Sequence, residues 1–177
     1  MAALPAAFCA STRVLGASNT VEISKAVDSD GLTHTAEAIH QEIAFKADRR
    51  KVYEALTNAK QFDAITRLSD AVALVTAPKA KPTSISRAVG GPFTLFGGYI
   101  TGRNLELLPD ERLVQVWRVG NWEAGDYSIA RFVLVANGTE TKLVFDHRGF
   151  PEGAGEHLAE GWHTHYWEPL AKFLSRA

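Results

Sequence analysis

Cysteine is almost missing from this chain: Cys9 is the only one in 177 residues. An intrachain disulfide is therefore impossible, and a cysteine-based metal site is excluded. A lipid anchor on Cys9 is disfavoured too, because bulky Phe8 precedes it where such sites need small residues. Long apolar runs are also missing. Nothing approaches the ~20 residues that a membrane-spanning helix needs. Charge of one sign is never concentrated. The 19 basic and 20 acidic residues leave a formal net charge of -1, and the longest basic run is Arg49-Arg50-Lys51. A nucleic-acid groove needs a positive field, so nucleic acid is not an expected partner.

What remains is ordinary globular composition, 46% hydrophobic and 22% charged, enough for one sizeable core. The length suits one domain plus a tail. Residues 1–17 are small, apolar and free of acids, and end in Val14-Leu15-Gly16-Ala17 as an export-peptidase site would. They read as the tail half of an export signal whose basic front lies upstream, which implies a periplasmic protein. The plainer alternative is an Ala-rich tail on a cytoplasmic one. Residues 18–36 are polar, with a turn at Asp28-Ser29-Asp30-Gly31, and read as a linker to a domain over 37–177.

Ile39, Gln41, Ile43 and Phe45 alternate on one face of a first strand. Asp48 then stands at a helix N-cap, and Asn58 at the cap of a second short helix. A short strand over Ala71–Thr76 is expected, then an exposed loop around Pro78 and Pro82 and another strand over Ser84–Val89. Extended segments follow over Phe93–Phe96, Tyr99–Leu108, Leu113–Val119, Ser128–Val135 and Thr141–His147, the last two joined at Asn137-Gly138. Gly90-Gly91 and Gly97-Gly98 open no helix and precede no Lys-Ser/Thr pair, so they suit bends in a curling sheet rather than a phosphate loop.

A terminal helix spans about Ala154 to Leu174. At 100° per residue, Leu158, Trp162, Tyr166, Leu170, Phe173 and Leu174 share one half of the wheel, with Thr164, Glu168, Lys172 and Ser175 opposite. Pro169 removes a backbone donor, strands the carbonyl of His165 and predicts a kink. The sum is an α+β architecture.

The pattern resembles the START-like, or SRPBCC, superfamily, and within it the bacterial proteins similar to the activator of heat-shock protein 90 ATPase. The resemblance is carried by residues 45–57, Val89-Gly90-Gly91-Pro92-Phe93, residues 109–118, residues 138–147 and Gly161-Trp162, in family order over roughly residues 36 to 176. It implies a helix-grip (START-like, Bet v 1-like) fold: a curved antiparallel sheet around a long C-terminal helix, with two short helices after strand 1. The superfamily includes hydrophobic-ligand carriers and polyketide cyclases, so the resemblance specifies fold more than function.

Candidate ligand-binding residues are Trp117, Phe132, Phe145, His147, Trp162, His163 and Tyr166. Alternation puts Phe132, Phe145 and His147 on the helix-facing side, with His147 near a cavity mouth. His147 is either a polar handle or general base, or a histidine satisfying a backbone carbonyl; lacking an evident partner, it favours the second reading. Asp146 and His147 are neighbours on a strand and point apart, which spoils a dyad. His157, His163 and His165 do not converge on one helix: the last two lie about 200° apart, so no metal site is expected. His163 falls near the apolar side and becomes a candidate cavity-lining group. Trp122 sits in a turn-rich loop and could cover a pocket or a partner surface.

Three functions follow from this reading. The first is binding of a small apolar or aromatic molecule between sheet and terminal helix, with no cofactor. The second is a cyclase, dehydratase or hydrolase built on His147 with a tyrosine or arginine near the mouth. The third is a co-chaperone-like protein-interaction module using the Trp122 loop.

Overall fold

The computed structural model describes residues 18–27 and 33–176. The export-signal reading of Met1–Ala17 and the turn at Asp28–Gly31 lie outside the described residues. Among the described residues, eight antiparallel strands form one sheet in the order β1-β2-β8-β7-β6-β5-β4-β3. Strand β1 (Ser18–Val27) pairs along its whole length with β2 (Thr33–Phe45), from Ser18 opposite Glu42 to Val27 opposite Thr33. Residues 18–27 and 33–36 of the stretch read as a linker are therefore strand. Its polar composition hides the alternation of Val21 and Ile23 with Thr20, Glu22 and Ser24, and period matters more than mean polarity for a strand.

Two helices follow, α1 (Arg49–Thr57) and α2 (Ala59–Thr66). The Asp48 carboxylate accepts the Lys51 N–H at 2.9 Å, and Asn58 Oδ1 accepts from Lys60 and Gln61. Both caps satisfy donors that a helix start leaves orphaned. Val52, Tyr53, Leu56, Phe62 and Ile65 are buried beneath them. The segment expected as a strand at Ala71–Thr76 is instead a short helix, α3 (Val72–Thr76). A short apolar run cannot declare its own period, and here tertiary packing decides. The chain reverses against it at Phe96–Gly98, where Gly97 has φ +68 and a Cβ would strike the Leu74 carbonyl.

Strands β3 (Ser84–Ile85), β4 (Pro92–Leu95), β5 (Ile100–Leu108), β6 (Arg112–Val119), β7 (Ser128–Asn137) and β8 (Glu140–Arg148) complete the sheet. β3 is only a fragment of the strand expected over Ser84–Val89. The β7–β8 hairpin pairs Asn137 with Glu140, so its central residues are Gly138 and Thr139, and Gly138 takes φ +62 as the first of them. Burial alternates strictly along β6 and β8. Leu113, Trp117, Phe132, Leu134, Leu143 and Phe145 thus all face inward, and Arg131 faces out to Asp146 at 3.3 Å.

The terminal helix runs as α4 (Gly155–Trp162), a widened turn (His163–Trp167) and α5 (Glu168–Leu174). In the widened turn the Glu168 N–H reaches back five residues to the His163 carbonyl. This π-type turn is what the expected kink becomes. In a regular helix the Pro169 ring would press on the carbonyl of His165, and opening the turn relieves that clash. The sheet curves around this helix, which is the helix-grip arrangement. Glu37 on β2 fixes the helix entrance, its two carboxylate oxygens accepting from Gly153 N at 2.8 Å and Gly155 N at 3.0 Å.

Candidate functional site

The space between sheet and helix has a filled end and a hollow end. At the filled end, Phe145 packs tilted against Trp162 with ring centroids 4.3 Å apart, and Trp162 lies 5.5 Å from Trp167 with ring planes 18° apart. Phe132 meets Phe145, Trp162 and Trp167 at 5.0, 5.8 and 6.2 Å. Both indoles of the helix are tethered to inward polar side chains of the sheet. Trp167 Nε1 donates to Gln41 Oε1 at 2.5 Å, and Gln41 Nε2 donates to the Ala159 carbonyl at 3.0 Å. Trp162 Nε1 donates to His147 Nδ1 at 3.0 Å. Sequence alternation places Gln41 inward but gives no reason for a buried amide; the reason is the indole opposite it.

His147 has no exposed surface. Phe150 folds over it with ring centroids 5.1 Å apart, so the side chain expected near a cavity mouth lies beneath the floor instead. Its protonation follows from its neighbours. Nδ1 accepts from Trp162, so it carries no proton. Nε2 must then hold the proton and donate to Ser128 Oγ at 2.6 Å, because that hydroxyl spends its own proton on the Trp117 carbonyl at 3.1 Å. Burial drives the imidazolium pKa down to about 3. Neutral and engaged at both nitrogens, His147 is a structural tether with no free lone pair for proton abstraction.

The hollow end is a cavity of about 410 Å³. Its helix wall is Leu158, Gly161, Trp162, His165 and Tyr166; opposite stand Phe96, Ile100, Trp117 and Val119; Leu74, Tyr99 and Trp122 reach the mouth. Such a volume is within the range of small-molecule pockets. Of the seven candidate residues, Trp117, Trp162 and Tyr166 line it. Phe132, Phe145 and His147 belong to the packed end. His163 does not line it either. About 100° round the helix from Trp162, its Nδ1 lies 3.3 Å from Glu168 Oε1, while His165 and His157 come to the cavity instead. Among the described residues, no group of three or more His, Cys, Asp or Glu side chains could hold a metal ion.

Two wall features were not legible in the sequence. Phe96 adopts φ +49, a strained conformation for a bulky residue, and is held there edge-on between Phe62 at 5.6 Å and Tyr166 at 5.2 Å. Its one local signal is the Gly97-Gly98 pair that follows. The Trp122 loop, read as a cover for a pocket or a partner surface, is strapped down by Arg118. The guanidinium donates to the carbonyls of Trp122, Glu123 and Asp126 at 2.6, 2.5 and 3.1 Å. Trp122 then packs edge-on against Trp117 at 5.9 Å.

This sheet-and-helix frame has known counterparts. Residues 46–175 match the family described as Activator of Hsp90 ATPase homolog 1-like protein. The chain belongs to that family. Human activator of 90 kDa heat shock protein ATPase homolog 1 is 28% identical over 97 residues, which is 55% of this chain and 29% of the relative. The homolog from Dictyostelium discoideum is 36% identical over 74 residues, 41% of this chain and 19% of the relative. The match therefore takes in less than a third of either relative's length. Among solved structures, an HSP90 activator from Plasmodium falciparum superposes with a TM-score of 0.67 at 22% identity, covering 78% of this chain and 96% of that one. CalU16 from Micromonospora echinospora gives 0.62 at 21% identity, covering 90% and 87%. At these identities the structures establish for this family member the shared helix-grip fold.

Proposed function

We propose that this family member binds a small apolar or aromatic molecule in the hollow between its sheet and its terminal helix. The observation that carries the reading is the cavity of about 410 Å³, walled by Phe96, Trp117, Trp162 and Tyr166 and partly covered by the strapped Trp122. Burying flat apolar surface against such walls is favourable without any charged contact. A catalytic role through His147 is not supported by its position below the floor or by its two engaged nitrogens.

Native mass spectrometry of the purified chain tests the proposal, together with a variant that plugs the hollow. Gly161 lies on the helix wall, and a Cβ added there meets nothing closer than 4.0 Å. Gly161→Phe therefore projects a ring into the cavity from a position with room for it. The expected result is a co-purified or added aromatic guest on the wild type and none on the folded variant. Equal loading of the two proteins would sink the proposal.

A further inference from the structure

The lining of the hollow is one-sided in charge. The chain has 19 lysines and arginines, yet among the described residues none lines it, and Glu152 is its only Asp or Glu. Six lining residues are exposed and make up the rim: Leu74, Tyr99, Asn121, Glu152, Gly153 and His157. Tyr99 is 39% exposed, so its ring stays free to turn toward a guest. Half-buried Trp122 adds a second ring, with its backbone carbonyl held by Arg118. One carboxylate and two aromatic rings therefore stand where a guest enters.

Helix capping does not account for Glu152. It precedes α4, where an acid commonly serves the free N–H groups of a helix start. Here Glu37 has taken that place, accepting from Gly153 and Gly155. Ion pairing does not account for it either. Glu42, Glu54, Glu106 and Asp146 each meet a cation, whereas Glu152 has no such partner among the described residues.

The rim then decides what head group a guest can carry. With its apolar body in the hollow, a guest leaves its polar head at the rim. A carboxylate head would face Glu152 and find no cation to pair with. A neutral head gains nothing from that charge. An ammonium head meets the opposite charge of Glu152 and the negative ring faces that Tyr99 and Trp122 offer a cation, and at a wet rim it keeps part of its hydration.

Resting on the ligand-binding reading above, we propose that the guest is an apolar molecule with a cationic amine or ammonium head, held at the rim by Glu152 and the rings of Tyr99 and Trp122.

The test compares three probes with one aromatic body by isothermal titration calorimetry at neutral pH and low salt: 2-(2-naphthyl)ethylamine, 2-(2-naphthyl)ethanol and 2-naphthylacetate. A partly exposed charge pair and a cation–ring contact are each worth a few-fold, so the amine is expected to bind at least about fivefold more tightly than the alcohol, and the carboxylate more weakly than the amine. Glu152→Gln keeps the shape and removes the charge. It should weaken the amine by about threefold and leave the alcohol unchanged, which distinguishes a lost attraction from a damaged fold. An amine no tighter than the alcohol, a preference for naphthylacetate, or an amine affinity that Glu152→Gln leaves untouched overturns this inference and leaves the cavity reading intact. Failure of all three probes to bind overturns both.

Discussion

The buried, neutral His147 makes a quantitative prediction about acid. In the unfolded chain its imidazole has an ordinary pKa near ~6.5. In the folded protein burial lowers this to about 3. Below pH ~6.5 the unfolded chain therefore binds a proton that the folded protein refuses. Stability from this group is fully present above pH ~6.5 and drains away as pH falls towards ~3, at up to about 1.4 kcal/mol per pH unit. Between about pH 7 and about pH 5 the loss from this one residue sums to about 2 kcal/mol. Urea unfolding at the two pH values measures it, with His147→Gln as the reference. That variant should lose about 1–3 kcal/mol at neutral pH, because Trp162 and Ser128 lose their partner. It should then be less acid-sensitive than the wild type by about 2 kcal/mol. Surface carboxylates and the other histidines are common to both proteins and cancel in the double difference. A variant as acid-sensitive as the wild type would refute the reasoning, and with it the assignment of His147 as a neutral tether.

Three further outcomes are expected. Gln41→Leu leaves the Trp167 indole without an acceptor in the core and should cost about 1–3 kcal/mol in chemical denaturation, with no change in that figure meaning that the indole finds another partner. Glu37→Ala removes the carboxylate that receives Gly153 and Gly155 at the start of α4 and should cost about 1 kcal/mol, measured the same way. Arg118→Ala frees three loop carbonyls, so acrylamide should quench tryptophan emission more strongly than in the wild type as Trp122 loosens. Unchanged quenching would show that packing on Trp117 alone holds the loop.

Much of the frame was legible because it rests on period and capping. The inward faces of β6, β7 and β8, the caps at Asp48 and Asn58, and the aromatic stripe from Leu158 to Leu174 are local patterns repeated often enough to outweigh noise. The misreadings have local causes as well. Residues 71–76 are too few to reveal a period, and 18–27 are too polar to look like strand. The site was less legible than the fold. Trp117, Trp162 and Tyr166 reach the cavity because alternation and helical spacing hold at their positions. His163 does not, because it stands about 100° round the helix from Trp162 and turns to Glu168. Phe96 depends on contacts with the distant Phe62 and Tyr166, which no single window of sequence contains, and the Arg118 strap, though it spans only four to eight residues, follows no periodic pattern.

The widened turn also makes this helix sensitive to number. Trp162 and Trp167 are five residues apart, which in an unbroken α-helix would set them about 140° from each other. The looser turn brings both indoles onto the sheet, one over His147 and the other over Gln41. Every side chain beyond it, including Leu170 and Leu174, inherits that phase. Deleting one residue inside the segment would let it close to an ordinary α-turn, with the two indoles four residues and about 40° apart, whereas adding one would swing the whole C-terminal third of the helix by about 100° and tear its anchor from the strands. Exchanging one side chain for another there is a far smaller insult than a one-residue insertion.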